Sequence, residues 1–243
     1  MKKITLALIC LIFFQFSKAQ DTKNLVYDSK AEVRTVEAFT GIEVGSAITL
    51  YISQGNSPAV AVSVEGDSND KLKTEVHNGT LKIFVPNGYW NKWSWGNNIK
   101  LKAYVTVKDL EKLYVGGASR TIITDKINVS DLKVVLSGAS SLKGDIAAKN
   151  LLLDLSGAST GNIGGSTATL DVKASGASNL KAYSLEASSC SAEASGASDI
   201  KITVLKEFNK IEASGASSIR YKGEAIIKNF ESSGASSIKK ESK

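Results

Sequence analysis

The tripeptide Gly-Ala-Ser begins at Gly117, Gly138, Gly157, Gly176, Gly196, Gly215 and Gly234, at intervals of 21, 19, 19, 20, 19 and 19 residues. So regular a recurrence marks a chain that folds as stacked copies of one unit. The flanks repeat as well. Leu132-Lys-Val134-Val-Leu136, Leu151-Leu-Leu153-Asp-Leu155 and Leu170-Asp-Val172-Lys-Ala174 precede the triplets, and an apolar residue returns after them at Leu142, Leu180, Ile200, Ile219 and Ile238. Apolar residues alternate at a period of two, the signature of strands with one buried face. Helix is disfavoured, because Gly and Ser would fall in every helical centre.

A unit of this length is too long for one strand, since 19 extended residues would span about 63 Å at about 3.3 Å each. It suits one coil of a solenoid built from short strands and corners. Stacked at about 4.8 Å, successive triplets would lie on one another. Gly permits a corner with positive φ, and serine hydroxyls in register could bond along a ladder. The rival arrangement is an antiparallel meander with two strands per unit. In-register parallel stacking is preferred, because it explains why the turn residues repeat along with the strands. The fold class expected is therefore all-β, a parallel β-helix over residues 111–243. Its C-terminal edge would be blunted by the charges of Ile238-Lys-Lys-Glu.

Residues 20–110 lack the triplet but continue the alternation, as in Ile48-Thr-Leu50-Tyr-Ile52, Val60-Ala-Val62-Ser-Val64, Leu81-Lys-Ile83-Phe-Val85 and Tyr104-Val-Thr-Val107. His77-Asn-Gly79 is a two-residue hairpin signal, and Gln54-Gly-Asn-Ser-Pro58 a turn. Gly45-Ser46-Ala47 looks like a diverged triplet. This segment reads as the irregular beginning of the same domain, with a separate β-sandwich as the alternative.

Residues 1–19 read as a secretory signal peptide. Lys2 and Lys3 precede the apolar run Ile4–Phe16, and Ser17-Lys18-Ala19 offers small residues for cleavage. A lipoprotein signal using Cys10 is the alternative, weakened by the position of Cys10 inside the apolar run. Cleavage would remove Lys2, Lys3 and Lys18 and no acid, so the formal charge falls from +6 to +3. Spread along the chain, that charge argues against nucleic-acid binding. The mature chain would keep Cys190 alone and form no internal disulfide. No later stretch is long and apolar enough for a membrane-spanning helix. His77 is the single histidine, which excludes His-pair metal sites and leaves little room for Ser-His-Asp or Cys-His catalysis.

Phe39-Thr-Gly-Ile42-Glu-Val-Gly-Ser-Ala-Ile-Thr-Leu50, Val60–Asp67 ending in Gly66-Asp67, Asn78-Gly-Thr-Leu81-Lys-Ile83 and Leu113-Tyr-Val-Gly-Gly-Ala-Ser119 follow in an order that resembles the family described as putative auto-transporter adhesin, head GIN domain. The resemblance spans nearly all of the expected mature chain. It implies an all-β, right-handed β-helical fold at the cell envelope. No translocator barrel or sorting domain is read after Ser242, so self-transport to the surface is not expected.

The candidate ligand-binding residues are Tyr89, Trp90, Trp93 and Trp95, in a segment flanked by Pro86-Asn-Gly88 and Gly96-Asn-Asn98. Planar aromatic faces in a loop stack on sugar rings or anchor a protein partner. The competing role is to cap the solenoid end. Asp67-Ser-Asn69-Asp70 is weighed as a Ca²⁺ loop and as an Asx turn; it lacks an EF-hand ligand set. The triplet serines have neither the Gly-x-Ser-x-Gly elbow nor a base. Cys190 reads as a small buried group, and Lys143, Lys173, Lys181, Lys201 and Lys228 as solvated outer positions or a weak hold on anionic glycans. No catalytic residue, metal or cofactor is assigned. The functional expectation is a non-catalytic, adhesin-like module for polysaccharide or a cell-surface protein, located in the periplasm, at the outer membrane or on the surface. The alternatives are a β-helical polysaccharide lyase or glycosidase, which needs convergent carboxylates, and a purely structural envelope protein.

Overall fold

The computed structural model describes residues 28–66, 68–87 and 99–242, so the expected signal peptide lies outside the described residues. The first half holds β1 (Glu32–Arg34), β2 (Gly41–Val44), β3 (Thr49–Gln54), β4 (Ala59–Glu65), β5 (Lys73–His77), β6 (Thr80–Phe84) and β7 (Lys100–Val107). The second half holds β8 (Lys112–Val115), β9 (Arg120–Ile123), β10 (Ile127–Leu136), β11 (Ser141–Leu155), β12 (Thr160–Ala174), β13 (Asn179–Ala194), β14 (Asp199–Ala213), β15 (Ser218–Lys222), β16 (Ile226–Ile227), β17 (Phe230–Ser232) and β18 (Ser237–Lys240). All are hydrogen-bonded into one sheet that winds as a β-solenoid.

In the second half every pairing is parallel and runs to the equivalent strand one repeat on. Leu132 faces Leu151, Leu151 faces Leu170, Leu170 faces Cys190 and Cys190 faces Phe208. This excludes the antiparallel meander. The alternating apolar residues point inward and stack into columns, such as Val134, Leu153, Val172, Ala192 and Ile211, all fully buried. Column volumes compensate one another. Phe208, the largest fully buried side chain, sits in a coil flanked by the small Cys190 and Ala192 of the coil before it. Such compensation keeps the interior filled without strain.

The Gly-Ala-Ser corners stack as the spacing requires. In the five triplets from Ala139 to Ala216 the alanine N–H donates to the carbonyl of the preceding coil's glycine, as in Ala139 to Gly117 (2.7 Å), Ala158 to Gly138 (2.8 Å) and Ala177 to Gly157 (2.8 Å). Gly157 has φ +69°, and a Cβ there would lie 2.7 Å from the Gly138 carbonyl oxygen. Two constraints therefore fix glycine, the left-handed backbone and the carbonyl stacked above it. The triplet serines are buried, but their hydroxyls do not bond one another. Those of Ser178, Ser198 and Ser217 donate to the carbonyls of Leu155, Ala174 and Ala194 in the coil before (3.4, 3.1 and 3.0 Å). Where these bonds form they run from hydroxyl to backbone, whereas the buried hydroxyls of Ser140 and Ser159 find no hydrogen-bond partner and Ser119 Oγ accepts from Ile48 N–H (3.3 Å).

The first half departs from simple stacking order. β2 and β3, joined by a corner, pair in parallel with β8 and β9 on one side and with β6 and β7 on the other. The coil made by residues 41–54 therefore lies between two coils that follow it in sequence. Beyond β7 the sheet turns antiparallel, through β4 and then β1; β5 closes β6 in the same way across the turn at Asn78 (φ 48°) and Gly79 (φ +70°). Antiparallel strands end the parallel stack at this end. Tyr104 stacks on Tyr51 (ring centroids 5.2 Å apart), and its hydroxyl donates to Asp28 at 2.9 Å. At the other end β18 pairs with β15, Lys240 bridges to Glu224 (2.6 Å), and the Tyr183 hydroxyl donates to Glu241 (2.6 Å). Ile226 and Phe230 are exposed there.

Candidate functional site

Coil register locates the aromatic segment. Val44 faces Ile83 and Thr49 faces Lys102. The chain between β6 and β7 therefore starts after Phe84 and ends before Lys100, on either side of the place where residues 45–48 make the tight corner of the adjacent coil. At its start the Val85 N–H donates to Ser46 Oγ (3.2 Å), and Val85 is buried. At its end Ile99 packs against the core. Tyr89, Trp90, Trp93 and Trp95 themselves lie outside the described residues. The strands that flank them, β6 and β7, end and begin beside the corner of residues 45–48, which lies in register with the Gly-Ala-Ser corners.

Beside that corner is an open cleft of about 630 Å³. One outward column runs Lys82, Glu43, Tyr114, Val135. Tyr114 and Phe84 are half-buried and supply aromatic surface, Val135 an apolar floor, and Gly116, Gly117 and Ser137 a backbone-rich rim. Lys82 Nζ lies 3.2 Å from Glu43 Oε2. An aromatic face beside a polar pair and a hydroxyl is the lining that a hydroxylated ring or a partner loop fills well. Sequence reasoning missed Phe84 and Tyr114. Their signal was present, since both are large apolar residues at the outward positions of alternating strands.

A second groove, of about 760 Å³, lies farther along the same face, beside the stretch Asp109–Lys112. It contains Asp131 and Asp171 among its lining residues. Asp131 accepts a 2.6 Å hydrogen bond from Asn150 Nδ2. That bond, with one from Ser130 and the Lys149 charge, holds the Asp131 carboxyl below the usual carboxylate range. Asp131 is thereby kept ionised and is a poor proton donor, the role an inverting or retaining glycosidase demands of one of its two carboxyls.

The other sequence candidates separate cleanly. Asn69 is a structural clamp: its side chain accepts from Val64 N–H (2.7 Å) and donates to the Lys30 carbonyl (2.9 Å), in a 3₁₀ turn capped by Ser68. Asp67 lies outside the described residues. Among the described residues no group of three or more His, Cys, Asp or Glu is placed to hold a metal ion. Cys190 is fully buried, and burial pushes its thiol pKa far up, so it is inert as a nucleophile. Lys143, Lys181 and Lys201 fall in one outward column, whereas Lys173 pairs with Glu193 (3.7 Å) and Lys228 with Glu207 (2.8 Å). No helix of the described residues is long and apolar enough to cross a membrane.

Comparison with known proteins agrees with the architecture. Residues 38–225 match the family model described as "Putative auto-transporter adhesin, head GIN domain". Among solved structures, a putative adhesin from Bacteroides fragilis NCTC 9343 aligns at 19% identity with a TM-score of 0.78, over 87% of this chain and 96% of its own. A protein from Parabacteroides distasonis ATCC 8503, titled a putative lipid binding protein, aligns at 21% identity and 0.63, over 88% and 98%. A putative adhesin from Parabacteroides merdae ATCC 43184 aligns at 14% and 0.62, over 87% and 95%. At these identities the likeness establishes the fold. No curated protein matches in sequence.

Proposed function

The chain belongs to the putative auto-transporter adhesin, head GIN domain family, and on that premise we propose that it is a non-catalytic exported envelope protein that binds polysaccharide or a cell-surface protein. The binding residues are Tyr89, Trp90, Trp93 and Trp95, acting with Phe84 and Tyr114 of the cleft. One observation carries this reading: β6 and β7 are joined by residues 85–99 where the adjacent coil uses only residues 45–48, and Phe84, at the start of that connection, lines a cleft together with Tyr114. A tight corner needs only a few small residues, so the extra length and the aromatic content of residues 85–99 are not required by the solenoid. The cleft rather than the Asp131 groove is favoured, because the cleft is lined by Phe84 and Tyr114 and the groove, among the described residues, by no aromatic residue. With the expected signal at residues 1–19, the protein acts in the periplasm, at the outer membrane or on the cell surface.

A glycan array and a pull-down from envelope extracts test the proposal. Retention should fall on Trp93→Ala, Trp95→Ala and Tyr114→Ala while the unfolding midpoint of each variant holds. If Trp93→Ala and Trp95→Ala instead unfold the protein, the rings are a structural cap and the binding assignment fails. Release of new reducing ends or unsaturated sugars from acidic polysaccharides would replace the proposal with a catalytic one.

A further inference from the structure

We propose that the face following the Gly-Ala-Ser corner is a docking track for a linear acidic polysaccharide, held by Lys143, Lys181, Lys201, Arg220 and Lys239. This surface is separate from the aromatic cleft, and the proposal does not depend on that reading. Register places the residues in a single outward column: Lys143 faces Asn162, which faces Lys181, then Lys201, Arg220 and Lys239. At the coil spacing of about 4.8 Å the column runs for about 24 Å along the solenoid axis.

Stacking cations in neighbouring strands costs stability, because like charges directly opposite one another repel. Asp199 offsets part of the cost, contacting Arg220 at 2.7 Å and Lys201 at 3.6 Å, and Glu241 lies 4.0 Å from Arg220. Lys143, Lys181 and Lys239 have no counter-ion among the described residues. The face before the corner provides a control within the same molecule. There, adjacent Glu193 and Glu212 are bridged by Lys210, at 3.1 and 2.6 Å, and Lys173 also reaches Glu193. One face balances its charge within the chain. The other leaves a cationic row in excess, which an external polyanion would neutralise.

The surroundings specify the kind of polyanion. Two residues before each of the six positions of the column (five cations and Asn162), on the same outward side, stand Ser141, Thr160, Asn179, Asp199, Ser218 and Ser237. Most of these are short hydrogen-bonding side chains, suited to hydroxyl groups. Beyond them lies the exposed Gly-Ala ridge, with no long side chain to obstruct an extended polymer. The coil repeat is close to the length of one sugar in an extended chain, so successive units can meet equivalent side chains and add weak contacts. Single-stranded nucleic acid would call for aromatic rings interleaved with the cations. None stands in the column from Lys143 to Lys239, and nearby Tyr183 is already engaged by Lys222 (5.1 Å from its ring centroid) and Glu241.

Affinity electrophoresis of the full mature chain through gels containing polygalacturonate, dextran or single-stranded DNA tests the proposal. Polygalacturonate should retard the protein, less so as salt rises. The Lys143→Gln, Lys181→Gln, Lys239→Gln triple variant should bind about tenfold more weakly, the combined effect of three exposed ion pairs. A control that removes equal charge elsewhere, at Lys126, Lys149 and Lys206, should stay within about twofold of the parent. The thermal midpoint of the track variant should equal or exceed the parent's, because repulsion is relieved. Absence of retardation, equal weakening of both triple variants, retardation by dextran, or tighter binding of DNA than of polygalacturonate would each overturn the proposal. Loss of retention in Trp93→Ala and Trp95→Ala alone bears on the cleft and leaves the track standing.

Discussion

The regular coils from Gly117 onward and the coil of residues 41–54 turn the same corner with different residues, and the difference shows what glycine is for. Register aligns Gly45 with Gly116, Ser46 with Gly117 and Ala47 with Ala118. The apparent triplet Gly45-Ser46-Ala47 is therefore offset by one from the later motif. Ser46 adopts φ 64° and Ala47 φ 57° without glycine. From Gly138 onward a Cβ at the equivalent place meets a stacked glycine carbonyl at 2.6–2.9 Å, whereas at Gly117, stacked on the Ser46 corner, it meets only Ser46 N at 3.3 Å. On the β6–β7 side of Ser46 the neighbouring chain is not a Gly-Ala-Ser corner but the connection over residues 85–99, and the Ser46 side chain accepts from Val85 N–H. The left-handed turn alone tolerates a serine at modest cost. The stacked carbonyl does not.

Four measurements break or sharpen this comparison. The largest effect is expected where the parallel core is densest. Val134→Asp buries an unpaired charge in a closed column and should cost about 4 kcal/mol in urea unfolding, whereas Val76→Asp, in the half-buried antiparallel strand β5, should cost about 1–2 kcal/mol. Equal costs would mean that the two ends are equally packed.

Next come two glycines with nearly the same φ. Gly157→Ala should cost about 3 kcal/mol, since the left-handed penalty is joined by the clash with the Gly138 carbonyl. Gly79→Ala (φ +70°, nothing near its missing Cβ) should cost only the penalty itself, about 1 kcal/mol. Matching losses would assign the whole effect to φ and remove stacking from the explanation.

Smaller still is a pH effect at the antiparallel end. Burial opposes ionisation of Asp28, but the Lys30 N–H, the Tyr104 and Ser63 hydroxyls and the Lys102 charge outweigh it and hold the carboxyl below its ordinary value. A depressed folded-state pKa stabilises above the unfolded value near pH 4, and the gain fades as pH falls through the folded value. Asp28→Asn should lower stability at pH 7 by under about 1 kcal/mol and flatten the acid limb of the stability profile. An unchanged acid limb would show that Asp28 is uncoupled from folding. The smallest change is expected from Ser46→Gly, within about 0.5 kcal/mol of neutral, as relief of φ strain offsets the lost bond from Val85.

Much of the second half was legible because each strand states its buried face by alternation and each coil restates the corner. The cationic column was legible too, had the lysines been aligned on the repeat. Lys143, Lys181 and Lys201 keep their offset after each triplet, and Lys173 and Lys228 do not. The Asn78-Gly79 hairpin followed from its dipeptide alone. The register of Ser46 did not, because Gly45-Ser-Ala mimics the motif one residue early. The cleft at Phe84 and Tyr114 was hidden for a different reason. Each residue looks like an ordinary outward strand position, and only the insertion of one coil between two others brings them together.

Alternation, β-branched content and a recurring glycine are properties of single residues and near neighbours, so the sequence by itself determined strands, period and buried face, while the observed register decided for parallel stacking over an antiparallel meander. The order of the first coils is not such a property. Residues 41–54, 80–107 and 112–123 carry similar alternating faces that could stack in more than one sequence. Tertiary structure decided that the first is enclosed by the other two, because this arrangement pairs both of its edges and leaves antiparallel strands to end the stack. Through that choice it also decided which corner the connection between β6 and β7 adjoins.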